Sequence, residues 1–461
     1  MPLFLYLSMD KVKEKINQLN NVDNLKEFVA LIPDKFISCV GLVILLYLCL
    51  IPLISSITYW NPEFLLLTGL TDLLSTKFSY CDHWYRLQWT VLILSLLFIG
   101  YSFAKAYYSG LSLKEWIKKH KAVSCFGVVL VLAFISFLLS SNHQRSFFGT
   151  GYRHDGLLSY IMYLGVFCMA IWLNDKHRRI LCEIFVAVGC IMGLLLIFPC
   201  DLFTTWGSGT YATIFCQYTH FGSFMSMCIP CGMYLFLTDK GGLIRMLRIA
   251  QAWLLFNTMM VNATRATAVA VGGVFILINV WGFVWDKSKR KNVIVLDILL
   301  IVTVMFLHTD AHLSERAKDN LGVAEQIVLR ENGGSDIEAL LDRLTSYRYT
   351  MWKKAAGYSL EKPLFGWGPD NLGELYYADG LSFTDRPHNE FIQIGASLGI
   401  PCLIMYCLGL FNWLADMFKK KDIICIVCIG YLICSVFSNS MFYTTPYFYM
   451  FLGLTYGIIN K

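Results

Sequence analysis

Twelve mainly apolar runs, each close to the length that crosses a lipid bilayer, follow one another along this 461-residue chain. A helix crossing a ~30 Å hydrocarbon core needs ~20 predominantly apolar residues. Lipid offers the backbone no hydrogen bonds, so each run must satisfy its own N–H and C=O groups as an α-helix. The runs are 36–58, 87–109, 122–141, 156–173, 180–199, 214–237, 249–264, 266–285, 293–309, 389–413, 423–441 and 443–459. Apolar residues make up 56% of the chain and charged residues only 15%, whereas ordinary soluble domains carry about 25% charge. That excludes a soluble multi-domain enzyme, a disordered chain, a collagen and a disulfide scaffold. The expected fold is an all-α polytopic membrane protein of about 12 transmembrane helices, with one long, partly helical loop between the ninth and tenth.

The basic residues are sorted. Of 38 lysines and arginines, 24 lie at the termini and in alternate connections, for example Lys114–Lys121, Lys176–Arg179, Lys240–Arg248, Lys287–Lys291 and Lys419–Lys421. The opposite short connections hold five: Lys77, Arg86, Arg145, Arg153 and Arg265. Positive charge favours the cytoplasmic side, so both termini are expected inside and Arg265 outside. The same bias resolves residues 249–285. One helix of that length would span ~55 Å and put Arg248 and Lys287 on opposite sides, whereas a hairpin puts both inside with Arg265 at its outer tip. The chain divides into a cytoplasmic segment 1–35, helices one to nine over 36–309, an outer loop 310–388 and helices ten to twelve over 389–461. The N-terminus does not read as a cleavable signal peptide, because a short apolar start, Pro2 to Met9, is followed by the polar stretch Asp10–Glu27. A net charge of +6 spread in small clusters does not indicate nucleic-acid binding. The 16 cysteines lie mostly within apolar runs; Cys81, Cys200 and Cys216 fall near outer loops, where one pair could be oxidised.

Residues 310–388 hold 13 acidic and 9 basic residues. Loops this long are often functional. Gly333-Gly334-Ser335 with Glu338 reads as a capping box. From it Ile337, Leu340, Leu341, Leu344, Tyr347, Met351, Trp352 and Ala355 recur at helical spacing. On that single helix Arg348 falls in the middle of the apolar face, one turn before Trp352. A second cluster, Asp385-Arg386-Pro387-His388-Asn389-Glu390, opens the tenth run. His388, Ile392, Gly395 and Gly399 share one helical face by the same count. Further polar groups face the same side: Arg153-His154-Asp155 before the fourth run, Cys216 to His220 at the sixth, and Arg265 at the hairpin tip.

These residues suit transfer from a lipid-linked diphosphate. Cleaving a sugar–diphosphate bond develops negative charge on the leaving group. Arginines match phosphate oxygens in pairs, and fixed cations at developing charge are a large catalytic term. A neutral histidine can accept a proton from an acceptor hydroxyl near neutral pH. No Asp-x-Asp pair occurs in the chain.

The ordered motifs Tyr347-Arg348-x-x-x-Trp352, Pro363-Leu364-Phe365-Gly366-Trp367-Gly368-Pro369-Asp370-Asn371, Pro387-His388-Asn389-Glu390-Phe391 and Gly395-x-x-x-Gly399 resemble those of the O-antigen ligase/polymerase superfamily. Thr264-Arg265-Ala266 resembles its Ser-Arg step, with threonine in place of serine, and Gln217-Tyr218-Thr219-His220 stands where Asn-x-Asn is common. The resemblance covers residues 150–460. It implies a membrane-embedded glycosyltransferase of the GT-C type, acting at the outer face of the bacterial cytoplasmic membrane, either ligase or polymerase. The implied substrates are an undecaprenyl-diphosphate-linked glycan and a glycan, lipid or protein acceptor, with membrane lipids around them. It implies His388, Arg265 and Arg348 as catalytic residues and no metal or other cofactor. Arg153, Arg386, Asn389, Trp352, Tyr347 and His220 complete the expected substrate-binding set. A multi-span transporter or flippase, and a non-catalytic envelope assembly partner, are the alternatives.

Overall fold

The computed structural model describes residues 24–60, 79–198, 200, 203, 213–239, 241–307, 337–381 and 384–459. The N-terminal apolar start, Lys77, Lys240, Lys461 and the loop up to residue 336, with its Ser335 capping box, lie outside them. The helices in chain order are α1 Leu25–Leu31, α2 Asp34–Trp60, α3 Tyr80–Tyr107, α4 Leu113–Lys119, α5 Lys121–Leu138, α6 His143–Phe148, α7 Leu157–Ile171, α8 Asp175–Ile197, α9 Tyr218–Thr238 and α10 Gly242–Asn262. They continue as α11 Arg265–Val280, α12 Arg290–Leu307, α13 Ile337–Thr345, α14 Arg348–Glu361, α15 Leu372–Ala378, α16 Glu390–Leu398, α17 Ile400–Lys420, α18 Cys425–Ser435 and α19 Thr445–Ile459. Among the described residues the fold is helical apart from one isolated bridge, Cys200 to Phe203.

Among the described residues seven helices are long and apolar enough to cross a membrane: α2 (to Tyr59), α3, α5, α8, α9, α11 with its π-helical extension to Trp285, and α17. The other apolar runs form α7, α10, α12, α16, α18 and α19. Large apolar side chains face outward, among them Leu97 and Phe103 on α3, Phe134 on α5, Ile276 on α11, Met305 on α12 and Phe411 on α17. Soluble monomers rarely expose such a surface; hydrocarbon is the solvent that suits it. Inside, α19 packs on α7, α17 on α5, and α9 against α10, α11 and α18. Along α9 nearly every side chain after Thr219 is buried.

Helix direction around α9 follows from polar contacts. Arg248 of α10 pairs with Asp239 at the end of α9 (2.8 Å), and Lys289 donates to the Leu237 carbonyl (2.8 Å). At the opposite end Asn262 and Thr264 both donate to the Tyr218 carbonyl (3.0 and 3.3 Å). The helices α10 and α11 are therefore antiparallel, joined through Ala263 in the left-handed conformation. This is the hairpin read from charge: Arg248 and Lys289 share one end, and Arg265 stands at the other.

Three helices differ from the sequence pattern. The expected loop helix is two, α13 and α14, separated by Ser346 and Tyr347 at φ +57° and +63°. The break carries no proline or glycine, and a count at 100° per residue does not run through it. Arg348 is thus the first residue of α14 rather than the centre of one apolar face. The tenth run is also broken. His388 has φ +52° and precedes α16, so it does not share a helical face with Ile392. Gly399 separates α16 from α17 at φ +96°, ψ 159°, a conformation open to glycine almost alone. The run 423–441 stops being α-helical at Ser435, leaving Phe437–Thr444 in turns.

The Pro363–Gly368 segment fills the Gly399 break. Trp367 and Gly368 N–H groups donate to the carbonyls of Ala396 (3.1 Å) and Ser397 (2.9 Å), and Ile400 N–H donates to the Pro363 carbonyl (2.8 Å). A Cβ on Gly399 would lie 2.3 Å from the Leu364 carbonyl oxygen. Gly399→Ala should therefore cost at least ~1–3 kcal/mol in backbone strain alone and lower the Tm of the detergent-purified protein. Gly272→Ala, where a Cβ meets nothing within 4 Å, should leave Tm unchanged or slightly raised in the same thermal scan.

Candidate active site

The polar groups opposite Arg248 are organised around Arg386. Its side chain is 2% exposed. It pairs with Asp155 (3.2 Å) and Asp370 and donates to the Ser440 carbonyl (2.9 Å). Asp155 also accepts from Gln393 (2.8 Å), Ser440 (3.0 Å) and Tyr163 (3.1 Å). Burial opposes the charge on Arg386, but Asp370 and Asp155 outweigh it and hold the guanidinium firmly protonated. Burial raises the Asp155 pKa, while Arg386 pulls it down. Outside this core Arg153 forms a two-pronged pair with Asp385 (2.7 and 2.8 Å) and lies over the Tyr152 ring at 4.7 Å. Asp385 is held below the usual carboxylate range: burial works against this, and Arg153 and Arg386 overcome it.

The other two arginines meet elsewhere. Arg265 and Arg348 line a cavity of about 80 Å³ with Tyr218, Thr219, Ser223, Thr264, Ser346, Phe437 and Ser438. Arg265 donates to Ser346 Oγ (2.5 Å), and Arg348 donates to the Thr345 carbonyl (3.3 Å). Arg348 has no ion pair among the described residues. Burial first, and then the charge of Arg265, lowers its pKa. Two cations facing one polar cavity form a site for an anion.

His388 lies next to this cavity. Its Nδ1 is 3.2 Å from Asn439 Nδ2, and Asn439 follows the cavity residues Phe437 and Ser438 directly. Its pKa is pushed down to about 4 by burial, then by Arg348 and Arg153, against a smaller opposing effect of Asp385. The ring is therefore neutral at physiological pH. His220 stacks on Tyr443 (centroids 5.2 Å, planes 25°) and is not among the residues lining the cavity.

The remaining expected residues take different positions. Asn389 caps α16, accepting from Ile392 N–H (3.0 Å). Trp352 lies 6.4 Å from Phe437, and its buried indole N–H has no hydrogen-bond partner. Tyr347 is 63% exposed, outside the residues lining the cavity. The structure thus brings Arg265, Arg348 and His388 towards one place, whereas Arg386 and Asn389 are engaged in holding the backbone. Asp155 and Asp370 join the site from stretches that the sequence marks without giving either a role, and Asn439 and Ser440 join it from a stretch the sequence leaves unmarked. The only hint for the last two was a Ser438-Asn439-Ser440 triplet inside an otherwise apolar run. A larger cavity of about 460 Å³ lies beside Asp385, lined also by Arg145, Thr150, Asp370, Glu374 and Tyr377. Among the described residues no group of three or more His, Cys, Asp or Glu is placed to hold a metal ion.

An all-helical membrane protein with a polar, arginine-rich site at one end of its bundle is the class defined so far. The model of the O-antigen ligase family matches residues 250–407, which include Arg265, Arg348 and His388. Over that segment, about a third of the chain, the protein is similar to the O-antigen ligase family. No curated protein matches the chain.

The two kinds of arginine should respond oppositely to removal. Arg386→Leu leaves Asp155 and Asp370 buried without their cation, and it should cost ~3–5 kcal/mol and much of the folded yield. Arg348→Leu removes a buried cation that lies near another, and it should leave Tm equal or higher. Thermal unfolding of the two purified variants checks the contrast.

Proposed function

We propose that the protein transfers an undecaprenyl-diphosphate-linked glycan to an acceptor hydroxyl at the outer face of the bacterial cytoplasmic membrane, without a metal. The observation that carries this reading is the cavity between Arg265 and Arg348, with neutral His388 beside it, inside the segment that matches the ligase family. The diphosphate occupies the cavity, where both guanidiniums and the neighbouring hydroxyls donate to its oxygens. The acceptor oxygen attacks the anomeric carbon. His388 takes the hydroxyl proton, and the bond from that carbon to the diphosphate oxygen breaks. The leaving diphosphate gains negative charge beside two fixed cations, which lowers the barrier more than it stabilises the ground state. Direct displacement inverts the anomeric centre.

Asn439 sets the histidine for this task. Its Oδ1 is buried without a partner while Nδ2 faces His388 Nδ1. With the amide turned over, Nδ1–H donates to Oδ1 and the lone pair of Nε2 is left to accept the proton, while Nδ2 takes the place that Oδ1 held. Arg386 and Arg153 support the reading as the frame that fixes the His388 backbone at its left-handed turn.

Purified protein incubated with undecaprenyl-diphosphate glycan and candidate acceptors should give product: a ladder for a polymerase, one added block for a ligase. His388→Ala and Arg265→Ala should abolish transfer while retaining the folded elution profile. Full activity in both variants would sink the assignment, and uptake of a solute by vesicles lacking lipid-linked glycan would favour a transporter.

A bound diphosphate offsets the positive charge of Arg348 and so raises the His388 pKa from about 4 towards its ordinary value. The acid limb of kcat, which reports the complex, should therefore lie at higher pH than that of kcat/KM, which reports the free enzyme. Asn439→Asp, which keeps an acceptor for Nδ1–H and adds a negative charge, should move both limbs upward. Asn439→Ala should instead lower kcat by ~10–100-fold, by analogy with loss of other orienting partners.

A further inference from the structure

The polar end of the bundle holds a second feature that the transfer chemistry does not use. Cys81, the second residue of α3, and Cys216, two residues before α9, are 135 positions apart in the chain, yet their sulfur atoms are 3.2 Å apart. Cys81 is buried and Cys216 is half-buried. The backbone is already joined here, because Tyr80 donates from its hydroxyl to the Ile214 carbonyl (2.8 Å). The Cys216 sulfur also meets the Tyr443 hydroxyl at 2.8 Å. This pair lies at the Arg265 end, opposite Arg248 and Lys289.

We propose that Cys81 and Cys216 form an intramolecular disulfide that braces the start of α9. The oxidant is a disulfide, either protein or small-molecule. The Cys216 thiolate, the more accessible of the two, attacks one sulfur of that disulfide and expels the first thiolate. The Cys81 thiolate then attacks the Cys216 sulfur and expels the second. One S–S bond forms as one breaks, and the two thiol protons end on the two released thiols. The bond closes a long loop, which removes freedom from the unfolded chain. Its effect reaches the site, since Tyr218, two residues beyond Cys216, offers the carbonyl on which Asn262 and Thr264 seat the Arg265 turn.

The inference rests on the outward orientation proposed above, where disulfides persist, and not on the transfer reaction. Exposed Cys200, which follows the far end of α8, reports that orientation independently. Intact cells are treated with a membrane-impermeant maleimide, quenched in acid, and the protein is digested without reduction and mapped by mass spectrometry. Labelled Cys200 together with a Cys81–Cys216 linked peptide, lost on reduction, is the expected result. Labelled Cys200 with both partners free, or a linked peptide joining Cys200 to either of them, overturns the disulfide while leaving the orientation intact. Unlabelled Cys200 with free thiols overturns the orientation, and the disulfide with it. Reduction should also lower the Tm of the wild type by several degrees, to that of the Cys81→Ser/Cys216→Ser variant; equal Tm before and after reduction overturns the bracing role.

Discussion

A guanidinium buried to 2% exposure is the constraint on which the polar end of this bundle depends. Arg386 draws together Asp155 from the turn before α7, Asp370 from the turn before α15 and the Ser440 carbonyl from the turn before α19. None of these segments is helical at the point of contact, so the bundle alone does not fix them. An isolated buried charge is prohibitively costly, and only the complete set of partners makes it tolerable. The set is therefore all or nothing, and it fixes the loop that carries His388, two residues along.

Four of the arginines at this end divide by what surrounds them. Arg153 and Arg386 have carboxylates at hydrogen-bond distance. Arg265 and Arg348 line a cavity rich in hydroxyls, and the charge of Arg265 adds to the cost of charging Arg348. Arg348 has no ion pair among the described residues, so negative charge entering the cavity would favour its charged form. The same field keeps His388 neutral until that charge arrives. On the proposed function, stability and binding are coupled through one electrostatic potential rather than through a moving part.

Much of the helical frame was legible from apolar periodicity, because a bilayer leaves the backbone no alternative. The α10–α11 hairpin was legible from charge, since only one arrangement puts Arg248 and the lysines after α11 on the same side. The cluster from Asp385 carries helix-start chemistry in sequence, and within it the structure uses Asn389 as the cap. The breaks were not legible in the same way. Ser346 and Tyr347 carry no breaker chemistry, and the turn there is stabilised by partners far along the chain, such as Arg265 on Ser346. Phe437–Thr444 sat in an apolar window whose average concealed three consecutive polar residues. The surroundings of Arg386 were hidden for a related reason: sequence shows a charge beside His388, whereas only the fold shows the aspartates around it.

The meeting of Pro363–Gly368 with the Gly399 break bears on how this loop can be handled and how it can vary. The loop backbone completes the hydrogen bonding of Ala396, Ser397 and Ile400 inside the bundle, and carbonyls left open there have no water to turn to. The loop is therefore not a detachable module. Excised, it loses the surface against which it folds, and the helix it leaves loses the groups that close its gap. A graft between relatives must carry the glycine-broken helix along with the loop, so the unit of exchange is the pair.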